Sequence, residues 1–203
     1  ESGLPYTGAL PLIVTSFAVM VLSTLIALPI AIGSAIFAVE ISPKFGSKIF
    51  QPLIELLTGI PSVVFGLIGF HVVVGLMKSV FHVSTGLGIL PGAIVLAVMI
   101  LPIITSVSRD IFMQTPRLQE EAAIGLGATK WEMIKLAVLP FGKSGIVSAS
   151  MLGLGRALGE TMAVLMILSP GLTYSIKLLR ASQNQTIAAN IAAQYPEADP
   201  NIG

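Results

Sequence analysis

Residues 12–39 read LIVTSFAVMVLSTLIALPIAIGSAIFAV, and this apolar stretch decides the fold class. No Asp, Glu, Lys or Arg occurs between Ser2 and Val39. A helix needs about 20 predominantly apolar residues to cross a bilayer, so the stretch is long enough for one crossing. Pro29 lies inside it and predicts a kink, which membrane helices tolerate because neighbouring groups satisfy the freed carbonyl.

The composition of the whole chain agrees with this interpretation. Of 203 residues, 54% are hydrophobic and only 10% are charged, and the net charge is +1. A soluble domain usually carries about 25% charged residues. The same numbers exclude a disordered chain, which would be poor in apolar residues, and strong electrostatic attraction to nucleic acid. Because there is no cysteine, disulfides and thiolate metal sites are also excluded.

Three further apolar stretches predict three more membrane crossings. With the first, the predicted spans are residues 12–39, 56–77, 89–108 and 144–169. The connections are residues 40–55, 78–88 and 109–143, and a polar tail, residues 172–203, follows with a short helix predicted near 186–194. The chain is therefore expected to be all-α, a single transmembrane domain built as a polytopic helical bundle.

The loops on the two sides of the predicted membrane differ in their basic residues. Residues 40–55 and 109–143 together hold seven Lys and Arg, whereas the opposite loops hold three. Loops rich in Lys and Arg stay on the cytoplasmic side, so the segment 109–143 is predicted to be cytoplasmic and both ends of this chain to lie outside. Because the chain begins at Glu1 without a basic leader, we expect it to be a fragment of a longer protein.

The segment 109–143 holds five basic and four acidic residues, but its turn signals predict a folded structure rather than a solvated linker. Thr115-Pro116 predicts the start of a helix, with an N-cap residue followed by proline at the first helical position. Gly125 and Gly127 predict its end. A second helix is predicted to follow, which makes the segment a helical hairpin at the membrane surface.

The second helix of this hairpin has its own start and stop signals. Thr129 and Glu132 have the spacing of a capping box, in which each side chain bonds the backbone N–H of the other residue. Pro140 and Gly142 predict the end of the helix. The hairpin resembles a helix-turn-helix, but its tether between two spans and its small net charge disfavour DNA binding.

The fourth predicted span contains two charged residues, Arg156 and Glu160. A charge at the bilayer centre costs at least about 2.5–3.5 kcal/mol, so such residues face a partner or a water-filled path. Helical periodicity places both on the face of small residues, opposite a bulky face. The small residues on that face are Gly145, Ala149, Gly153, Gly159 and Ala163, and the bulky ones opposite are Val147, Met151, Leu154, Leu158 and Leu165.

Two interpretations of Arg156 and Glu160 stay open from the residues alone. They are spaced as an i, i+4 ion pair that would lock helix packing. Alternatively, the guanidinium of Arg156 suits the oxygens of phosphate or carboxylate and marks a station for an anionic substrate. The two roles are compatible, because Glu160 could hold Arg156 at rest and release it when an anion arrives.

Other chemistry finds little support in the sequence. Residues 137–144 fit a relaxed Walker A pattern, but the proline inside it and the absence of a preceding strand disfavour nucleotide binding. His71 and His82 are too isolated to predict a metal site, which needs several convergent donors. No catalytic Ser-His-Asp set, carboxylate pair or zinc-protease motif is present, so an enzyme is not expected.

The predicted hairpin carries a spaced motif. Glu121-Ala122-Ala123 is followed after three residues by Gly127 and after nine more by Ala137-Val138-Leu139-Pro140. This pattern resembles the EAA loop of ABC-importer permeases, with Ala137 where isoleucine is usual. The resemblance implies a coupling element that docks on a separate cytoplasmic ATPase. The residues that it marks as ATPase-coupling are Glu121, Ala122, Ala123, Gly127, Leu139 and Pro140.

Residues 153–164, GLGRALGETMAV, resemble the signature of phosphate-specific permeases of the Pst system, and residues 52–66 resemble its C-type (PstC-type) subunit. The resemblance implies a type I ABC-importer permease fold of the MetI-like kind, with about six spans of which four are present here. It also ties Arg156 and Glu160 to the path of phosphate.

The implied function is that of a membrane subunit of an ATP-driven phosphate importer in the bacterial inner membrane. The implied partners are a second, PstA-like permease, a cytoplasmic ATPase dimer and an extracytoplasmic phosphate-binding protein. No cofactor is expected in this chain, because ATP and Mg²⁺ would bind the ATPase. A permease of the same fold for sulfate or molybdate, or a membrane scaffold that transports nothing, remain the alternatives.

Overall fold

The computed structural model describes residues 10–81, 88–160, 162–167 and Ile191. Every regular element in this part of the chain is a helix, so the predicted all-α class is confirmed. The predicted tail, residues 172–203, and its helix near 186–194 lie outside the described residues apart from Ile191, as does His82.

Ten α-helices make up the described chain, and four of them continue into a π-helical turn. They are α1 Leu10–Ile36 with the π turn Phe37–Ile41, α2 Pro43–Phe45 with Gly46–Phe50, α3 Gln51–Gly59, α4 Ser62–Ile68 with Gly69–Val73, α5 Val74–Phe81, α6 Ile89–Phe112, α7 Arg117–Gly125, α8 Lys130–Met133 with Ile134–Val138, α9 Leu139–Gly159 and α10 Met162–Ile167.

Four helical stretches in the described chain are long and apolar enough to cross a membrane. They are Ile13–Ile41, Ser62–Val80, Ile89–Phe112 and Lys130–Gly159. This number equals the number of predicted spans, and the first begins within one residue of its prediction. Its helix continues through Pro29 and ends before Ser42, as Ser42-Pro43 would require.

The second stretch differs from its predicted bounds at both ends, and the third differs at one end. The sequence placed the start of the second span at Leu56, but residues up to Gly59 belong to α3, and the next helix starts after Pro61. Proline there restricts the preceding residue to an extended backbone, which interrupts the apolar run. The third helix continues beyond residue 108 to Phe112, so Arg109 lies in its last turn, where a cation interacts favourably with the helix dipole.

The fourth stretch differs most from its prediction. Pro140 does not end the hairpin's second helix, because α8, the π turn Ile134–Val138 and α9 follow one another without a break. Proline lacks an N–H and clashes with the carbonyl four residues earlier. The π turn directly before it changes the hydrogen-bond register, since the Leu139 N–H donates to the carbonyl of Ile134, five residues back. The hairpin and the fourth span therefore share one helix.

The helix also ends earlier than predicted. Residues 144–169 were expected to form one continuous span, but α9 ends at Gly159 and the short α10 begins at Met162. The chain is therefore interrupted close to Glu160, one of the two charges predicted for the substrate path.

The described residues group into two compact units. One comprises Thr24–Gly59 and Ile100–Leu154, and the other comprises the described residues within Glu1–Ser23, Ile60–Met99 and Gly155–Gly203. The core of the unit that contains the hairpin is formed by Ala35, Ile36, Phe112, Met133, Ile134 and Val138. In the other unit, Val74, Val95 and Ile167 form a smaller core.

Candidate functional site

The first helix of the hairpin ends in a Schellman motif. Gly127 has a φ of 91°, a left-handed conformation that glycine adopts without steric cost. Its N–H donates to the carbonyl of Ile124 at 2.9 Å, and the N–H of Ala128 donates to the carbonyl of Ala123 at 3.1 Å. These two bonds satisfy carbonyls that the helix end would leave unpaired. The glycine of the motif thus fixes the turn of the hairpin.

The second helix begins with the predicted capping box, which the structure confirms. The Thr129 N–H donates to Glu132 Oε2 at 2.8 Å, and the Glu132 N–H donates to Thr129 Oγ1 at 3.3 Å. The backbone and hydroxyl hydrogen bonds from Thr129 hold the pKa of Glu132 below its usual value. Turn and cap together make the tip of the hairpin a defined structure rather than a flexible loop.

The start of the first hairpin helix is one residue later than predicted. Pro116, not Thr115, takes the N-cap position, and no side chain caps this helix end. The hydroxyl of Thr115 is buried and has no hydrogen-bond partner. Proline at this position has an extended ψ of 123°, which places the helix start at Arg117.

An open groove lies between the two arms of the hairpin, with a volume of about 820 Å³. Small residues of α7 and the turn line it, including Ala122, Ala123 and Gly127. Leu126 and Leu136 line its apolar rim, and they are 90% and 69% exposed. A rigid groove with protruding leucines is a surface suited to a protein partner, because exposed apolar side chains in a patch mark interaction sites.

The six predicted coupling residues are divided between this surface and the core. Glu121, Ala122, Gly127 and Pro140 are exposed, whereas Ala123 and Leu139 pack against the core of the unit. The motif therefore encodes both the surface and the packing that holds it.

Sequence reasoning missed two features of the hairpin. The first is the pair of exposed leucines, which the motif does not include. The second is an ion pair between Lys130 Nζ and Glu40 Oε2, 3.2 Å apart, which ties the start of α8 to the end of the first span. Its partners lie 90 residues apart in the chain, so no local sequence signal could reveal it.

Arg156 and Glu160 differ in their surroundings. The Arg156 side chain, in the last turn of α9, is exposed, whereas Glu160 is only 8% exposed. Glu160 Oε1 accepts a hydrogen bond of 3.2 Å from the N–H of Ala163, in the first turn of α10. Both residues lie in the described chain, and no ion pair joins them there. The simple i, i+4 pair is therefore not the arrangement observed.

The predicted inward face of the fourth span is correct in its first half. Gly145 and Gly153 lie directly against Ile111 and Ile104 of α6, where a β-carbon would not fit without rearrangement. Further along, Arg156 and Gly159 are exposed instead of inward-facing. The helical wheel still holds here, because α9 is continuous through Gly159, but no neighbouring atom lies within 4 Å of a β-carbon added at Gly155 or Gly159. Exposure at this end therefore reflects which helices pack against it.

No group of three or more His, Asp or Glu that could hold a metal ion occurs among the described residues. His71 lies exposed on the second membrane-spanning stretch, with its Nδ1 3.3 Å from the carbonyl oxygen of Leu67.

Comparison with known proteins identifies the family. The family model of the binding-protein-dependent transport system inner membrane component matches residues 27–195. The chain belongs to this family of membrane transport components. The motifs at residues 121–140 and 153–164 therefore occur in a member of the class of proteins that they resemble. That class is a transport component rather than an enzyme.

Several relatives in the family are similar over most of this chain. It is 47% identical to the probable ABC transporter permease protein YqgH of Bacillus subtilis over 164 residues, which cover 81% of this chain and 53% of that protein. It is 46% identical to the phosphate transport system permease protein PstC 2 of Mycobacterium tuberculosis over 161 residues, 70% of this chain and 50% of that protein. With PstC of Mesorhizobium japonicum it shares 37% identity over 220 residues, 98% of this chain and 67% of that protein. The chain spans about half the length of the first two relatives.

These similarities confirm the resemblance to phosphate-specific ABC transporter permeases. Family membership and the four apolar helices identify the chain as a multi-pass membrane protein.

Proposed function

We propose that this chain forms part of the translocation path of an ATP-driven inorganic phosphate importer. Arg156 carries the proposal. Its side chain is exposed on a helix that is apolar enough to cross a membrane. Direct contact of a guanidinium with lipid tails is costly, so Arg156 requires a polar neighbour or a water-filled path. A second permease subunit that faces it would enclose such a path.

The chemistry of Arg156 suits a phosphate ion. Its planar guanidinium can donate two parallel hydrogen bonds to phosphate oxygens. Because no ion pair with Glu160 occupies it in the described chain, the guanidinium is available to an anion. Similarity to PstC proteins supports phosphate as that anion. The contact is expected to be transient, since passage requires release as well as entry.

In this proposal Glu160 acts differently from Arg156. Its carboxylate bonds the backbone at the start of α10, so it stabilises the interruption of the helix rather than the resting position of Arg156. Backbone irregularity at membrane depth is tolerated where it is buried in protein or lines a cavity, and the buried Glu160 fits this condition. Glu160 would thereby position the end of α9, on which Arg156 lies.

The hairpin would couple this path to ATP hydrolysis on a separate ATPase. The groove between its arms, with Leu126 and Leu136 on the rim, would receive an apolar element of the ATPase. The ion pair of Glu40 with Lys130 and the helix shared by α8 and α9 would transmit movement from the hairpin to the spans. ATP and Mg²⁺ would bind the ATPase dimer, and an extracytoplasmic binding protein would deliver phosphate.

In this proposal the hairpin and residues 40–55 lie in the cytoplasm of a bacterial cell, and residues 78–88 and both ends of the chain lie outside the inner membrane. The excess of basic residues in the loops on the hairpin side supports that orientation.

Uptake of labelled anions tests the proposal. Cells that lack the native subunit are supplied with the full-length protein, and entry of [³²P]phosphate is compared with that of [³⁵S]sulfate and molybdate. Phosphate-specific uptake that depends on the subunit is expected. Entry of sulfate or molybdate in its place would assign the same fold to another oxyanion, and no uptake of any of them would favour the scaffold.

A second experiment tests the coupling surface. Leu126→Asp should weaken binding of the ATPase to detergent-solubilised permease at least tenfold, because a carboxylate would be buried against an apolar partner. Leu118→Asp is the matched control, since Leu118 is also highly exposed on the hairpin but does not line the groove. Equal binding by both variants and the parent would argue against the groove as the docking surface.

A further inference from the structure

A second cavity, separate from the groove, lies within the unit that contains the hairpin. Its volume is about 460 Å³. It is lined by the π turn after α1, by Pro43 of α2, by the C-terminal end of α6 and the residues that follow it, and by α7 and α8. Five charged residues line it: Glu40, Arg109, Arg117, Glu120 and Lys130. Neither Arg156 nor Glu160 takes part, so this cavity is not part of the proposed path.

Two buried polar groups on the cavity lining lack partners. Arg109 is only 9% exposed, and its Nε has no hydrogen-bond partner, although its Nη1 lies 3.2 Å from Asp110 Oδ1. Thr115 is 6% exposed, and its hydroxyl is also unpaired. A guanidinium only donates hydrogen bonds, and a buried donor is costly unless an acceptor satisfies it. Both atoms are almost fully shielded from solvent, and the cavity is the open space that their residues line.

The charges around the cavity favour an anionic acceptor. The lining carries three cations, Arg109, Arg117 and Lys130, against two carboxylates, and Glu40 is paired with Lys130. Burial, followed by the negative charge of Glu40, raises the pKa of Glu120. Arg117 is exposed, and Arg109 pairs with Asp110 through Nη1 only, so both guanidinium groups keep donors for a ligand. Two guanidinium groups beside a hydroxyl form a donor set that matches the oxygens of a phosphate group.

We propose that this cavity binds a phosphate group, either inorganic phosphate or the phosphodiester of an anionic lipid headgroup. Its position at the ends of two membrane-spanning stretches is accessible to both sources, since basic pockets at such ends bind lipid headgroups. The proposal does not rest on the transport function, because it concerns binding at residues outside the path.

Binding to the assembled transporter tests the proposal directly. The full-length complex is placed in nanodiscs, and two quantities are measured per complex. The first is [³²P]phosphate bound at equilibrium in zwitterionic lipid. The second is the number of anionic phospholipids retained in a mixed bilayer, counted by native mass spectrometry.

Three variants provide the comparison. Arg117→Gln changes an exposed side chain that should not affect folding, and Thr115→Val removes only the unpaired hydroxyl. Lys48→Gln is the control, because Lys48 is an exposed cation of the same unit that does not line the cavity.

We expect Arg117→Gln and Thr115→Val to weaken binding of one phosphate group per chain at least tenfold in one of the two measurements, with Lys48→Gln unchanged. A loss in the first measurement identifies inorganic phosphate, and a loss in the second identifies a lipid headgroup. The proposal is overturned if Arg117→Gln and Thr115→Val change neither the bound phosphate nor the retained anionic lipid. It is also overturned if Lys48→Gln lowers either quantity as much as they do. The path variant Arg156→Gln should retain this binding, which separates the result from the fate of the proposed transport function.

Discussion

The hairpin, residues 109–143, and the segment from Arg156 to Ile167 both carry charges in an otherwise apolar chain, but they are built differently. In the hairpin, each turn is fixed by groups within a few residues, such as Gly127 at the end of α7 and Thr129 at the start of α8. In the second segment, the Glu160 carboxylate also bonds a near neighbour, the N–H of Ala163 three positions on, but Glu160 is buried and Arg156 exposed, which no local group sets.

This difference teaches where local sequence rules work. Caps and turns depend on hydrogen bonds between near neighbours, so the sequence predicted the glycine turn and the capping box correctly. Burial depends on which helices surround a residue. A helical wheel therefore placed Arg156 and Glu160 on one inward face, whereas the structure exposes the first and buries the second.

The largest expected effect is at Arg156. Because its side chain is exposed, we expect its substitution to change transport but not the folding of the chain. Arg156→Gln should reduce phosphate uptake at least about 30-fold, equivalent to about 2 kcal/mol for a lost charge-assisted contact. Membrane assembly should be retained, because the side chain is exposed and makes no described ion pair. The measurement is initial uptake rate, normalised to the amount of subunit in the membrane.

Lys143→Gln is the matched control for Arg156→Gln, since Lys143 is an exposed cation on the same helix, α9. It should leave phosphate uptake unchanged. Uptake at the parent rate by Arg156→Gln would remove Arg156 from the path, and a loss of assembled protein would show that its role is structural.

The turn of the hairpin provides a smaller effect that tests its rigidity. Gly127→Ala forces a side chain into the left-handed region and should cost about 1–2 kcal/mol. This strain should shift the tip of the hairpin and lower phosphate-stimulated ATP hydrolysis by up to about tenfold. The rate of ATP hydrolysis by the reconstituted transporter is the measurement.

Gly125→Ala is the control, two residues away in the same hairpin. A β-carbon added at either glycine would meet no neighbouring atom within 4 Å, but of the two only Gly127 has a positive φ. Alanine at residue 125 is expected to stabilise α7 by about 0.5–1 kcal/mol and to preserve ATP hydrolysis. Similar losses of ATP hydrolysis in both variants would show that the added side chain, and not the backbone conformation at Gly127, causes the effect.

The smallest effect concerns the capping box. Thr129→Ala should destabilise the first turn of α8 by about 1 kcal/mol, visible as faster hydrogen exchange of the Glu132 amide. Thr129→Ser, which keeps the hydroxyl, should exchange at the parent rate.

The same box also predicts a dependence on pH. Because hydrogen bonds from Thr129 lower the pKa of Glu132, the stabilisation is present above the usual value of 4.5 and is lost as the pH falls through the lowered pKa. Protection of this turn, corrected for intrinsic exchange, should decline below pH 4.5 in the parent and be independent of pH there in Glu132→Gln, which removes the titrating group. Thr129→Ala keeps the backbone N–H that donates to Glu132, the larger cause of the lowered pKa, and should retain most of the decline. A parent protein without this decline would contradict the role of the Glu132 carboxylate.

Much of the architecture could be predicted from particular residues. The charge-free run before Glu40 was sufficient for the first span, and Gly145 and Gly153 correctly predicted close helix packing. Two of the errors occurred at prolines. Pro61 starts a new helix inside a predicted span, whereas Pro140 does not end one, because a π turn before it accommodates the ring.

The sequence by itself determined the membrane class, the number of apolar helices and the shape of the hairpin tip, since these depend on composition, period and contacts between near neighbours. Only the tertiary structure decided that Glu40 pairs with Lys130, that Arg109 and Thr115 line a charged cavity, and that Arg156 is exposed while Glu160 is buried. These features join or surround residues far apart in the chain, and the free energy of a charge is set by the groups that folding brings around it.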